Sequence, residues 1–327
     1  MQSLLSLLIF LPFLVPVIVA QFGERNRGAR YATYGLLAAF NVGLLGIAGL
    51  LFLSELLMAL QPAQLPVQTT SFNTLAMAIA TLLTAFVANL PLVPGVRRWL
   101  VRWLPIDPDS IVHATALTYA VYFVGLSIGQ MLLIGNLETL AQGNLSLTIL
   151  DVILSELPLL VFALVGVGMF VRRGWRATWQ RLGVLRPTWK QLLAALGIAI
   201  LLIAFDYGVN YGWDKLDPAG YDQLQRVTEN IFGGLMTVGG AFALGLSAGI
   251  AEELLFRGAV QPRLGLFLAT VLFALGHLQY GFTIATAEVF VIGLVLGLMR
   301  RRTSTTVTMV IHATYNTLGV ILGLLQP

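Results

Sequence analysis

The chain has 327 residues, of which 57% are hydrophobic and only 10% are charged, and its mean hydropathy is +0.85. Because soluble globular proteins carry about 25% charged residues, this composition excludes an ordinary water-soluble domain. The net charge of +4 arises from basic residues beside apolar segments, which excludes a nucleic-acid-binding domain, and the lack of cysteine excludes disulfides, thiolate metal sites and a cysteine nucleophile.

Apolar segments recur along the whole chain, each near the length of about 20 residues that a helix needs to cross roughly 30 Å of hydrocarbon. They predict an all-α fold, a polytopic membrane helix bundle of about ten transmembrane helices. In chain order the predicted spans are Leu4–Ala20, Tyr34–Met58, Phe72–Leu92, Ile111–Ile134, Val152–Val171, Leu192–Tyr207, Phe232–Leu255, Leu264–Leu278, Thr283–Met299 and Thr305–Leu324.

Basic residues follow the odd-numbered spans, whereas the loop after the sixth span is acidic. By the positive-inside rule the basic loops are cytoplasmic, and both termini face the other side. The basic residues are Arg25, Arg27 and Arg30; Arg97, Arg98 and Arg102; Arg172, Arg173, Arg176, Arg181, Arg186 and Lys190; and Arg300, Arg301 and Arg302.

One basic stretch, from Arg172 to Lys190, is the predicted linker between two parts of the chain. Residues 1–180 form N-terminal transmembrane helices of unknown role, and residues 181–327 form the part that holds the chemistry. Glycines at helix-packing spacing predict close helix contacts within the bundle. These glycines are Gly43, Gly46 and Gly49, Gly125 and Gly129, Gly245 and Gly249, and Gly293 and Gly297.

Ionisable side chains are costly inside hydrocarbon, so those in the last four predicted spans indicate a functional site. Glu253 and Arg257 are four residues apart on one helix face, which predicts an ion pair and leaves Glu252 available. Counting along the helices places Glu252, His277 and His312 at a similar depth, roughly 15–20 Å from the cytoplasmic ends. We therefore expect side chains from three separate helices to meet in one cavity.

Structural roles are the alternative for each of these residues. The glutamates and Arg257 could reach the interface from a helix end, His277 could be a hydrogen-bonded packing residue, and Asn316 could bond across helices. The combination of motifs favours the functional interpretation. The remaining polar residues near span ends are interpreted as interfacial and are left out of the site: His113, Glu55, Glu156, Glu288, Asp151 and Asp206.

Three short motifs lie in order on successive predicted spans: an adjacent glutamate pair followed by an arginine, a phenylalanine four residues before a histidine, and a histidine four residues before an asparagine. Their residues are Glu252, Glu253 and Arg257, then Phe273 and His277, then His312 and Asn316. Together they resemble the CPBP family of intramembrane proteases, which includes CAAX prenyl endopeptidases and bacteriocin-processing or self-immunity proteins. The resemblance covers about Phe232–Leu324, with an extension back to residues 181–184.

The resemblance implies an intramembrane endopeptidase. Glu252 and His277 would activate water, His312 and Asn316 would stabilise the oxyanion, and Glu253, Arg257 and Phe273 would support them. A zinc ion bound by His277, His312 and Glu252 stays open, because two histidines and a carboxylate match a catalytic zinc site, although the helical His-Glu-x-x-His spacing is absent.

The expected substrate is a membrane-associated or prenylated peptide or protein, and the other expected partner is the lipid bilayer. The expected location is the plasma membrane of a prokaryote. Two other functions remain open at this point: a secondary transporter that uses the buried acids and histidines as a relay, and a non-catalytic immunity or scaffold protein of the same fold.

Overall fold

The computed structural model of the protein describes residues 2–60, 73–134, 146–277 and 280–325, with side chains from Leu8 onward. Within these ranges the chain forms helices and no β-strand. The α-helices are α1 Gln2–Gly23, α2 Arg27–Leu60, α3 Thr74–Val87, α4 Pro94–Leu100, α5 Ile111–Ile134, α6 Ile149–Gly166, α7 Trp175–Leu182, α8 Trp189–Leu216, α9 Pro218–Phe232, α10 Val238–Glu252, α11 Gln261–Leu275, α12 Ile284–Arg302 and α13 Thr305–Leu324. A π-helical segment, Glu253–Val260, joins α10 to α11.

Seven helical segments of the described residues are long and apolar enough to cross a membrane. The protein is therefore a multi-pass helical membrane protein, as the sequence predicts, but the predicted number of ten spans is not reproduced. The seven segments are Arg27–Leu60, Thr74–Leu92, Ile111–Ile134, Ile149–Gly166, Trp189–Leu216, Val238–Leu275 and Thr305–Leu324.

Three differences account for the smaller number. Helix α1 is 22 residues long, but only Leu8–Gly23 is described with its side chains, so α1 is not among the seven segments. Helix α12 carries Glu288 and three consecutive arginines at its end, which lowers its hydropathy. The predicted seventh and eighth spans belong to one helical segment, Val238–Leu275, because the π-helical turns continue the helix where the sequence predicts a loop.

This long segment is not straight. Gly265 has a φ of 81°, outside the helical region, and breaks α11 near its start. A straight helix would separate Glu252 and His277 by about 37 Å, whereas their side chains approach to 3.9 Å. The chain therefore bends back between the π-helical segment and the end of α11, which brings His277 next to Glu252 at the end of α10.

Helix α10 lies between α6 and α13 at the centre of the C-terminal part. Its contact with α13 depends on glycine, because a Cβ on Gly249 would lie 2.8 Å from the backbone nitrogen of Ala313. The predicted packing role is confirmed there and at Gly129, which lies against α3. It is wrong for the glycines of α2, since a Cβ on Gly43, Gly46 or Gly49 would have no described atom within 4 Å.

The segment that follows α7 is attached to the C-terminal helices. Gly183 ends α7 with a φ of 75°, and its carbonyl accepts a hydrogen bond from the Thr305 backbone nitrogen at 3.0 Å. The Leu182 carbonyl accepts from the Thr305 hydroxyl at 2.6 Å, and Arg181 donates to the Gly258 carbonyl at 3.1 Å. These bonds hold residues 181–184 against α13 and the π-helical segment.

Candidate active site

A buried ion pair lies in the π-helical segment. The Glu253 Oε1 and Arg257 Nη1 atoms are 3.3 Å apart, and the two side chains are 0% and 2% exposed, which confirms the predicted pair. Arg257 also donates from Nη2 to the Gly293 carbonyl at 3.1 Å, and its guanidinium carbon lies 4.1 Å from the centre of the Phe273 ring. The arginine is therefore held by contacts to three different parts of the fold.

His312 joins this pair from α13. Its Nδ1 atom lies 3.1 Å from Glu253 Oε1, and the residue is 4% exposed. Since an ionised carboxylate can only accept a hydrogen bond, the proton lies on Nδ1 and points at Glu253. The Nε2 atom of His312 is consequently the ring nitrogen that is available for a further hydrogen bond.

Glu252 and His277 form a second pair. The Glu252 Oε2 and His277 Nε2 atoms are 3.9 Å apart, which is too long for a direct hydrogen bond. His277 Nδ1 is 3.0 Å from the Phe273 carbonyl and must donate to it, so Nε2 of the neutral ring is an acceptor. Glu252 is 8% exposed, and its Oε2 has no hydrogen-bond partner among the described residues. One water molecule about 2.8 Å from both acceptors could donate a hydrogen to each.

The two pairs meet at Phe273. The centre of its ring lies 4.9 Å from the centre of the His277 ring and 5.8 Å from that of His312. The structure thus brings together six of the seven residues that the sequence analysis singles out. The seventh, Asn316, lies one turn after His312, is half-buried and makes no hydrogen bond to another described residue.

Residues 234–318 match one family model, described as type II CAAX prenyl endopeptidase Rce1-like. We refer to residues 234–318, by this similarity, as the Rce1-like domain. The match lies within the predicted region Phe232–Leu324 and includes all seven motif residues, so the resemblance to CPBP proteases is confirmed. No curated protein and no solved structure matches the chain.

Glu156 of α6 is a further acidic residue near Glu252, although no sequence motif includes it. Its Oε2 atom is buried without a hydrogen-bond partner among the described residues, and its carboxyl group interacts electrostatically with Glu252 of the Rce1-like domain. The prediction that Glu156 reaches water at a span end is therefore wrong, because α6 packs against α10 and covers this position. The sequence contains a signal for this residue, since an acid inside an apolar segment is costly and indicates function.

A second polar cluster lies between α8, α12 and α13. Asp206 and Glu288 are hydrogen-bonded to each other, and the Tyr315 hydroxyl donates to Asp206 Oδ1 at 3.4 Å. Asn210 donates to the same oxygen at 3.1 Å. Glu288 is only 8% exposed, so its predicted interfacial placement is also wrong.

The residues expected to bind zinc are not shown to form a metal site. The described part of the chain contains no group of three His, Cys, Asp or Glu side chains placed to hold a metal ion. His312 directs Nδ1 at Glu253 and His277 directs Nδ1 at a backbone carbonyl, so each ring leaves only Nε2. The chemistry proposed below for the Rce1-like domain is described in terms of the protein's own side chains and water.

Proposed function

We propose that the protein is an intramembrane endopeptidase in which water activated by Glu252 and His277 hydrolyses a peptide bond. The observation that carries the proposal is the pair of acceptor atoms, Glu252 Oε2 and His277 Nε2, that face each other at 3.9 Å in a buried site. The Rce1-like match supports the protease class. The substrate is a membrane-associated or prenylated peptide or protein.

The proposed reaction begins with a water molecule that donates its hydrogens to Glu252 and His277. Its oxygen attacks the carbonyl carbon of the peptide bond, and His277 Nε2 takes up the proton that the water loses. The carbonyl oxygen becomes an oxyanion. When the carbon–nitrogen bond breaks, His277 returns the proton to the leaving amine. The products are a carboxylic acid and an amine, and the acid then passes its proton to the amine to give a carboxylate and an ammonium group.

The oxyanion needs hydrogen-bond donors, and two side chains of α13 supply them. The Asn316 amide carries two hydrogens and is not engaged by another described residue. His312 has its Nδ1 hydrogen on Glu253, so its Nε2 can donate only when the ring carries a second proton. Asn316 is therefore the donor that acts in every protonation state, and His312 adds a charged donor when it is protonated.

Glu253, Arg257 and Phe273 act as positioning residues in this proposal. Glu253 fixes the ring orientation of His312, and Arg257 balances the buried carboxylate. The Phe273 carbonyl fixes the proton of His277, while its ring fills the space between the two histidines. Burial of the whole group strengthens its electrostatic interactions because little water competes with them.

The test uses the full chain in phospholipid vesicles with two fluorogenic peptides, one prenylated near its C-terminus and one not prenylated. We expect Glu252→Gln and His277→Gln each to lower kcat about 10²–10⁴-fold, the contribution of general base catalysis. The matched control is Glu229→Gln on an exposed position of α9, which should retain full activity. Full activity of both folded site variants would overturn the mechanism.

Secondary transport is the second candidate, and the buried Asp206–Glu288 pair favours it, because acids inside membrane segments also form ion relays. Uptake of a solute into the same vesicles without hydrolysis of either peptide would support this alternative. Capture of a partner protein with neither activity would support a scaffold or immunity role.

The arrangement in the membrane is part of the proposal. The basic loops face the cytoplasm, the membrane is the plasma membrane of a prokaryote, and residues 1–180 and 181–327 form the N-terminal and protease parts. The hydrogen bonds from residues 181–184 to the C-terminal helices support that boundary.

A further inference from the structure

A cavity of about 520 Å³ lies between the N-terminal helices and the Rce1-like domain. This volume is within the roughly 300–1,000 Å³ of cavities that bind small molecules. Helices α1, α5 and α6 form one side of it, and the π-helical segment with α11 forms the other. Its wall is mostly apolar and includes Val17, Ala116, Phe123, Leu159, Phe162 and Leu255.

The cavity is distinct from the candidate active site. The proposed catalytic residues do not line it. Phe256 separates the two, because its side chain lines the cavity and its ring packs against the Phe273 ring at 5.4 Å between centres. A molecule in the cavity would therefore lie one layer of side chains away from the proposed catalytic water.

The polar side chains of this mostly apolar cavity include two acids, Glu24 and Asp107, and four arginines, Arg172, Arg173, Arg181 and Arg263. Only Arg172 has an acidic partner, Glu24, at 3.9 Å. We define the other three, Arg173, Arg181 and Arg263, as the arginine cluster. They come from the loop after α6, from α7 and from α11, so the fold and not one basic run brings them together.

The arginine cluster has few internal partners. Arg181 donates one hydrogen bond to the Gly258 carbonyl at 3.1 Å, and Arg173 donates one to the Val167 carbonyl. Arg263 makes no hydrogen bond or ion pair within the part of the chain that the structure describes. A guanidinium offers five N–H donors, so most of the donors in the cluster remain available.

The positive charges also act on each other. Burial first, and then the nearby charges of Arg263, Arg173 and Arg300, lower the pKa of Arg181 to about 10. Burial and the charges of Arg172 and Arg263 lower the pKa of Arg173 as well. An anion between these groups would relieve the repulsion and regain the interactions that burial removes.

We propose that the cavity binds an anionic phospholipid, with its phosphate on the arginine cluster and one acyl chain along the apolar wall. Arginine binds phosphate through two parallel hydrogen bonds, and an apolar wall next to it suits a hydrocarbon chain. The three arginines lie between predicted spans, on the side of the membrane that the sequence places in the cytoplasm, where anionic lipids are abundant. Topology alone requires basic loops but does not require their arginines to line a cavity.

The test measures phosphatidylglycerol binding to the purified full chain by native mass spectrometry, with phosphatidylcholine as the uncharged comparison. We expect Arg181→Gln/Arg263→Gln to weaken phosphatidylglycerol binding about tenfold or more, as loss of one charge-assisted hydrogen bond would. The matched control is Arg98→Gln/Arg102→Gln, which removes the same charge from exposed positions of another basic loop. This control should bind as the unmodified chain does.

A second variant, Ala116→Phe, fills the apolar wall without changing charge, and it should also weaken phosphatidylglycerol binding. If Arg181→Gln prevents folding, Arg263→Gln is tested alone, because Arg263 has no internal hydrogen bond to lose.

Unchanged phosphatidylglycerol binding in the arginine variants would overturn the proposal. Equal binding of phosphatidylcholine would also overturn it. So would a loss of phosphatidylglycerol binding in the arginine variants but not in Ala116→Phe, if inorganic phosphate competes as well as phosphatidylglycerol does. The result does not depend on peptidase activity, so the two proposals can fail separately.

Discussion

The buried ion pair between Glu253 and Arg257 should show a large interaction energy in a double-mutant cycle. Arg257→Met would leave a carboxylate that is 0% exposed with His312 as its remaining partner. Loss of one member of a buried pair costs about 3–5 kcal/mol. We expect the upper end of that range, because the variant also loses the hydrogen bond to Gly293 and the contact with the Phe273 ring.

The complementary variant, Glu253→Gln, leaves the arginine charge buried and should cost a similar amount. Together the two changes remove both charges. The double variant should therefore be more stable than the sum of the two single losses predicts, with an interaction energy of about 2–3 kcal/mol. Unfolding in mixed micelles with increasing denaturing detergent, followed by tryptophan fluorescence, measures these free energies. The control cycle uses Arg98→Met and Asp109→Asn, an exposed pair at 3.8 Å.

The control pair should give an interaction energy below about 0.5 kcal/mol, because water screens exposed charges. The reasoning would be refuted if the Glu253 and Arg257 variants were additive to within about 0.5 kcal/mol. It would also be refuted if the two cycles gave the same interaction energy. Either result would mean that the pair does not stabilise the π-helical segment.

Three further variants test other contacts. Asn316→Leu should lower kcat about 10²–10³-fold with little change in stability, the usual effect of losing an oxyanion donor. Gly249→Leu should destabilise the fold by about 1–3 kcal/mol, because a Cβ there would lie 2.8 Å from the Ala313 nitrogen. Gly293→Ala should lower kcat about tenfold, because its Cβ would lie 2.8 Å from the Phe273 ring and displace a side chain that contacts both histidines.

These variants have direct controls. Gly46→Leu on α2 should leave stability unchanged, since no described atom lies within 4 Å of the position of its Cβ. An equal effect of Gly46→Leu and Gly249→Leu in the micelle unfolding assay would contradict the packing argument. Full peptidase activity of Asn316→Leu would remove Asn316 from the mechanism. Unchanged kcat in Gly293→Ala would show that the position of the Phe273 ring does not matter.

Hydropathy alone predicts the membrane class and most of the helices, because the cost of placing backbone and charge in hydrocarbon is local and additive. It does not predict how the chain passes from α10 to α11. The π-helical segment depends on the buried Glu253–Arg257 pair and on close packing with residues from α12 and α13, which are distant in sequence.

The site is predictable where spacing within one helix decides the outcome, as for Glu253 and Arg257. The hydrogen bond between Glu253 and His312 joins residues 59 positions apart, and spacing cannot reveal it. The position of Glu156 cannot be predicted for a similar reason, since its distance from a span end does not indicate which helix covers it. Its interaction with Glu252 follows from the packing of α6 against α10.

The most direct measurement compares kcat of Glu252→Gln, His277→Gln and the double variant on the peptide that the unmodified chain cleaves. If the two side chains hold one water molecule, removing the second after the first has little further effect, and the double variant should be about as slow as the slower single variant. A kcat reduced by the product of the two single effects would show that Glu252 and His277 act independently and would contradict the account.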